Sequence, residues 1–152
     1  LGDPDAIVIA VPDLYPRNKG FDHSTFQEIR HGMIERFTDA LRQRRVDDQR
    51  LLQKFHVFCF KHDLEVLLLA NETALKAHLN VANIKRTWHQ QVEDQNQDHP
   101  PKMVIQDLFK KHGRTYCETV DAPRILRECS YLETAEYCPQ CFKPFVAFLA
   151  SL

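Results

Sequence analysis

The sequence predicts an α/β fold in which a parallel sheet is flanked by helices and followed by a mostly helical C-terminal part. Three observations carry that expectation. Residues 7–11 (IVIAV) and 55–60 (FHVFCF) are short apolar runs bounded by turn or charged residues, so both read as buried strands. Between them Phe26, Ile29, Met33, Phe37 and Leu41 recur at helical spacing. Strand, helix, strand is the signature of a parallel pair, and a right-handed crossover sets both strand ends on one edge. Each run also ends in an acidic signature. The first leads into Pro12, Asp13, Leu14, Tyr15 and Pro16, and the second into Lys61, His62, Asp63, Leu64 and Glu65.

Taken in order, residues 15–20 are rich in turn formers. Ser24 and Thr25 then offer helix caps, with Gln27 and Glu28 at capping-box spacing, and a helix of about 20 residues follows. Gly32 inside it costs about 1 kcal/mol relative to alanine. Residues 64–70 are almost wholly apolar and predict a helix buried under the sheet, with His62 near its start. Asn71 and Glu72 begin a further short helix through Leu79. Residues 90–101 (QQVEDQNQDHPP) are polar and end in two prolines, which predicts a mobile loop. Residues 102–112 resume helical periodicity, with Gly113 as the stop. Asp121, Ala122 and Pro123 predict a helix opened by a cap and an early proline, continuing to the region of Cys129. Residues 138–152 predict a final helix with Phe142, Phe145, Phe148 and Leu149 inward. There is no internal repeat. The whole reads as one domain over residues 1–152, with a βαβ core in 1–70 and a helical remainder in 71–152.

A chain of 152 residues is long enough for one domain with a real core. Its 43% hydrophobic and 27% charged residues are the balance of an ordinary globular protein. A net charge of −1 excludes a global pull toward nucleic acid or anionic membrane, so any such contact needs a local basic patch or a partner. No apolar run approaches the roughly 18 residues that span a bilayer, and no signal-peptide pattern is visible. Five cysteines, one of them in a predicted strand, suit a reducing, cytoplasmic setting better than a disulfide scaffold. The chain begins at Leu1 and enters a strand almost at once, as a fragment of a longer protein would.

Several residues point to chemistry. Ligands gather at the carboxyl ends of strands in open α/β sheets, where Asp13 stands. Its plain alternative is a turn aspartate bonding its own loop. His62 and Glu65 are three apart and on a helix would share a face, although a first turn favours acids in any case and His62 has the option of capping. Carboxylates of this kind, shared between the two strand ends, suit Mg²⁺ or Mn²⁺ and hence phosphate esters. Lys102 stands at a helix start, where a cation opposes the macrodipole, so it faces either a phosphate or solvent. Cys138 and Cys141 form a lone CxxC. Cys117, Cys129 or His112 could complete four zinc ligands, but the spacing fits no common ribbon or finger, so zinc is disfavoured and small core residues are expected. Arg42, Arg44, Arg45, Arg50 and Lys54 form one basic run, and Lys110, Lys111 and Arg114 another. Such runs are usually solvated faces, and beside an acidic cluster they would guide a nucleic-acid backbone.

The order of these segments (VPDLYP, then FKHDLEVLLLA, then PPKM with its helix, then CPQCFKPFVAFL) resembles a Toprim-like family of domains of unknown function. That family is related to OLD-type nucleases and is often encoded beside ABC-type ATPases in bacterial anti-phage loci. The resemblance covers nearly the whole chain and implies a Toprim-like, Rossmann-like sheet. It implies that Asp13 is the strand-end metal carboxylate, that His62 and Glu65 belong to a second acidic motif, and that Lys102 is the site lysine. The family's first strand, with its own glutamate, is absent here. Leu14 replaces an expected tyrosine or polar residue, and Asp63 stands where the family carries glutamate.

The expected function is therefore a Toprim-type endonuclease subunit that cleaves phosphodiesters, DNA in the first instance, as the effector of a defence system with an ABC- or AAA-type ATPase partner. Asp13, His62, Glu65 and Lys102 would be catalytic. Asp13, Asp63 and Glu65 would hold Mg²⁺ or Mn²⁺. Homo-oligomerisation is compatible with this reading, and membrane association is not expected. The alternative is a non-catalytic subunit that docks on the ATPase of such a complex.

Overall fold

The computed structural model describes residues 6–15, 20–46 and 49–152. Pro16 and most of the expected turn after it lie outside the described residues. The chain divides into two compact units, Leu1–Lys61 and His62–Leu152.

In the first unit, β1 (Val8–Ala10) and β2 (Phe55–Val57) pair in parallel, with Val8 opposite Phe55, Ile9 opposite His56 and Ala10 opposite Val57. The pairing runs past both strands. Phe60 donates its N–H to the Pro12 carbonyl (3.1 Å), Leu14 donates to the Phe60 carbonyl (2.6 Å), and Asp13 and Phe60 form a parallel bridge. The shared edge expected from the strand–helix–strand order is present in this small sheet. α1 (Phe26–Gln43) opens on the full capping box, in which the Thr25 hydroxyl accepts from the Glu28 N–H while the Glu28 carboxylate accepts from the Thr25 N–H. It packs against β2, where Phe37 stacks on Phe55 at 4.3 Å between centroids. A five-residue helix absent from the expectation, α2 (Gln49–Gln53), leads into β2. The strands are less buried than expected. Ile7 and Val8 stay 41% and 51% exposed, while α1 and α2 pack against β2.

The second unit is helical. α3 (Glu65–Leu69) is buried at every position and packs against α4 (Glu72–Leu79), α5 (Pro101–Lys111) and α6 (Glu118–Arg127). A helix that is apolar along most of its length belongs inside a bundle, and the core around it includes the fully buried Leu75, Ile105, Phe109 and Ile125 of the neighbouring helices. α7 (Tyr131–Tyr137) and α8 (Phe142–Leu149) complete the unit.

Four expectations are corrected here. Residues 90–101, expected as a polar mobile loop, hold a 3₁₀ turn (Val92–Asp94) with Val92, Glu93 and Gln95 buried. α6 starts at Glu118 and not at Asp121. Asp121 lies in its first turn and accepts the Cys117 N–H (2.7 Å), which leaves Pro123 inside the helix. The final helix is shorter than the expected 138–152, at Phe142–Leu149, and α7, capped by the Ser130 hydroxyl, is a further helix that precedes that segment. In α8 it is Val146 that is buried, while Phe142, Phe145 and Phe148 are half-buried and Leu149 is exposed. No described helix is long and apolar enough to cross a membrane.

Candidate functional site

Asp13 belongs to the first unit, and His62, Asp63, Glu65 and Lys102 belong to the second. Asp13 is half-buried, and the residue after it is held on both sides. The Leu14 N–H meets Phe60, and the Leu14 carbonyl lies 3.3 Å from Nε2 of the buried His23. Leu14 is a core residue at 5% exposure, which accounts for an apolar side chain at that position.

In the second unit the acidic motif enters α3. His62 precedes the helix and does not share a helical face with Glu65, but both are buried, at 2% and 1% exposure. Glu65 is the first residue of α3, where a carboxylate favours the macrodipole. Its Oε1 accepts the Tyr116 hydroxyl at 3.0 Å. Its Oε2 is buried and has no hydrogen-bond partner among the described residues. Stranding a buried carboxylate oxygen costs on the order of 1–3 kcal/mol, so stability alone does not explain this oxygen.

Lys102 is the second residue of α5, and its ammonium pairs with the carboxylate of Glu118, the first residue of α6. That hydrogen bond, partly offset by desolvation and reinforced by the charges of Glu65, Glu118 and Asp63, raises the lysine above its ordinary value. Lys102 is therefore within electrostatic reach of both acids of the motif. Tyr116 stays a neutral donor: burial first, then the charge and hydrogen bond of Glu65, push its hydroxyl well above the usual phenol range. The amino ends of α3, α5 and α6 thus bring Glu65, Asp63, Lys102, Tyr116 and Glu118 into one neighbourhood. Tyr116 and Glu118 carry no spacing signal in the sequence. Only their place just before and at a helix start, after the Gly113 stop, hints at them.

The donor set is oxygen-rich and suits a hard divalent cation of the Mg²⁺ type, which takes one or two carboxylates and fills its remaining positions with water and substrate oxygens. Among the described residues no group of three or more His, Cys, Asp or Glu stands ready to hold an ion by itself. Cys138 and Cys141 are core residues, and the backbone N–H groups of Gln140 and Cys141 donate to the buried Glu93 carboxylate at 2.7 and 2.8 Å. Lys110 and Lys111 stand at the far end of α5 from Lys102, and Arg114 is engaged by the His78 carbonyl at 2.6 Å. A cavity of about 620 Å³ lies elsewhere in this unit, lined by Glu72, Arg86, Glu128 and Glu133 among others, and none of the expected site residues lines it.

A model of one family, described as a domain of unknown function (DUF4276), matches residues 1–150. Comparison with curated proteins and with solved structures gave no match. Since the family match spans nearly the whole chain, the protein belongs to the DUF4276 family of domains of unknown function.

Proposed function

We propose that the protein is a metal-dependent, Toprim-type nuclease subunit, with the cluster around Glu65 as its phosphodiester site. The observation that carries this reading is the buried Glu65 carboxylate, with one oxygen held by Tyr116, the other without a hydrogen-bond partner among the described residues, and a lysine in electrostatic reach. Glu65 and Asp63 would hold Mg²⁺ or Mn²⁺, which when bound supplies Lewis-acid stabilisation of phosphoryl oxygens. Lys102 offsets charge that develops on the phosphate, and α3 holds the Glu65 side chain in place because the helix is packed on all sides. The resemblance to the Toprim-like family also implies catalytic roles for His62 and, in the first unit, Asp13, and an ABC-type ATPase as partner.

The competing reading is a non-catalytic subunit of such a complex. The net charge of −1 and the pairing of Lys102 with Glu118 favour it. Plasmid and single-strand cleavage with Mg²⁺ or Mn²⁺ separates the two. Cleavage that disappears in Glu65→Gln and in Lys102→Met supports the nuclease. Equal cleavage by wild type and Glu65→Gln sinks the site, and equal cleavage by wild type and Asp13→Ala removes Asp13 from the catalytic residues. A wild-type protein that cuts nothing, with or without an ATPase, decides for the non-catalytic subunit.

A further inference from the structure

Tyr116 is fixed from three directions. Gly113 takes a positive φ of 69° after α5, and the Gly113 and Arg114 N–H groups donate back to the Lys110 and Phe109 carbonyls at 3.0 and 2.9 Å. This is the tight C-terminal turn that a glycine at that position permits. The Tyr116 ring then meets the fully buried Phe109 edge-on at 5.1 Å, and Arg114 covers the same Phe109 ring at 5.5 Å. The hydroxyl that results from this placement reaches Glu65, 51 positions earlier in the chain.

A buried carboxylate has two chemically equivalent oxygens, and nothing in the side chain itself decides which one meets a ligand. Here the choice is made by the neighbour, since Tyr116 occupies Oε1 and Oε2 is left over. We propose that Tyr116 is a positioning residue that orients Glu65 so that Oε2 is presented to a hard divalent cation. The inference rests on the reading of the Glu65 cluster as a cation site, though not on which substrate is cut there. Outer hydrogen bonds of this kind typically change metal affinity 10–100-fold when removed.

The test is Mn²⁺ binding to the full chain, measured by calorimetry or by electron paramagnetic resonance, on wild type, Tyr116→Phe, Glu65→Gln and the double variant. Tyr116→Phe keeps the ring against Phe109 and removes only the hydroxyl. We expect its Mn²⁺ dissociation constant to rise at least ten-fold at a temperature where both proteins are folded. We expect the double variant to bind no worse than Glu65→Gln alone. Thermal melts in chelator record the purely structural cost, which by itself would not move cation affinity. Wild-type affinity in Tyr116→Phe overturns the proposal. Mn²⁺ binding that follows this pattern without nucleic-acid cleavage would sink the nuclease and leave Tyr116 as assigned, whereas no Mn²⁺ binding by the wild type overturns both.

Discussion

Lys102 and Glu118 form an ion pair between the first turns of α5 and α6, so the cation expected to meet a phosphate is held by an internal carboxylate. Both side chains are about half exposed, and such pairs contribute about 0.2–1 kcal/mol. Any phosphate at Lys102 competes with Glu118 for it. Glu118→Gln should therefore tighten binding of a short oligonucleotide up to about five-fold. Fluorescence anisotropy in chelator checks this, and the gain should vanish when Lys102→Met is added. Unchanged affinity in Glu118→Gln would mean that Lys102 meets no phosphate.

Asp121 joins α6 to α4 through His78 Nε2 at 2.8 Å. Burial alone would raise its carboxyl, but the Cys117 N–H, His78 and Arg114 outweigh burial and hold it below the usual carboxylate range. A carboxyl lowered on folding stabilises above its unfolded value of about 3.9, and that contribution is lost as pH falls through the lower folded value. Asp121→Asn should thus lose about 2 kcal/mol near neutral pH. Its deficit against wild type should shrink below about pH 4. Denaturant melts at pH 7 and pH 3 read this directly, and an equal deficit at both would refute it.

Glu93 is 1% exposed and accepts two N–H groups at the start of α8. Hydrogen bonds to a charged acceptor contribute about 1.5–3 kcal/mol each, and truncation leaves one buried donor, at Cys141, and one part-buried donor, at Gln140, behind. Glu93→Ala should lower the melting temperature by roughly 10 °C, and Glu93→Gln, which keeps one acceptor, by less. Scanning calorimetry distinguishes the two.

The cysteines should react in a fixed order. Cys138 is fully buried, and burial followed by the nearby Glu93 charge pushes its thiol up to about 12. Cys117 is exposed at the cap of α6. Since the thiolate is the reactive species, alkylation at pH 8 followed by mass spectrometry should label Cys117 first and Cys138 only on unfolding. Early labelling of Cys138 would contradict the packing around the CxxC turn.

Gly32 lies within α1, where alanine would ordinarily gain about 1 kcal/mol. A Cβ there would sit 2.4 Å from the Phe21 ring. That ring is held between His23 at 5.4 Å and Arg36 at 5.2 Å, so it yields only by losing those contacts. Overpacking of this kind costs about 1–3 kcal/mol, which outweighs the helical gain. Gly32→Ala should destabilise the first unit by about 1 kcal/mol, measured by urea unfolding, and a more stable variant would show that Phe21 moves without cost.

Where local chemistry decides structure, the sequence was a sufficient guide. Thr25 and Glu28 announce the start of α1 because both halves of a capping box are side chains close in the chain. The parallel pair was legible from two β-rich runs around one amphipathic helix. Gly32 looked like a local cost because its reason is Phe21, a tertiary neighbour. Asp121 and Pro123 together imitate a helix start, and only the Cys117 N–H shows that the true first turn is earlier. The polar run at 90–101 hid Glu93, whose partners lie 47 and 48 positions away. The site followed the same division. Asp13, Asp63, Glu65 and Lys102 stand out by residue type near strand ends or helix starts. Tyr116 and Glu118 gain meaning only through the packing that brings them to Glu65 and Lys102.

The helix that begins with Glu65 is five residues long, well short of the roughly 12–15 at which an isolated helix becomes even marginal in water. Its backbone order is borrowed wholly from the helices around it. The carboxylate it carries is thus an all-or-none property of the second unit, switched on by the closing of α5 and α6 and lost with either. Variants that loosen the contacts of Leu68 with the surrounding core, one turn along the same helix, should silence the cluster as completely as replacing Glu65 itself.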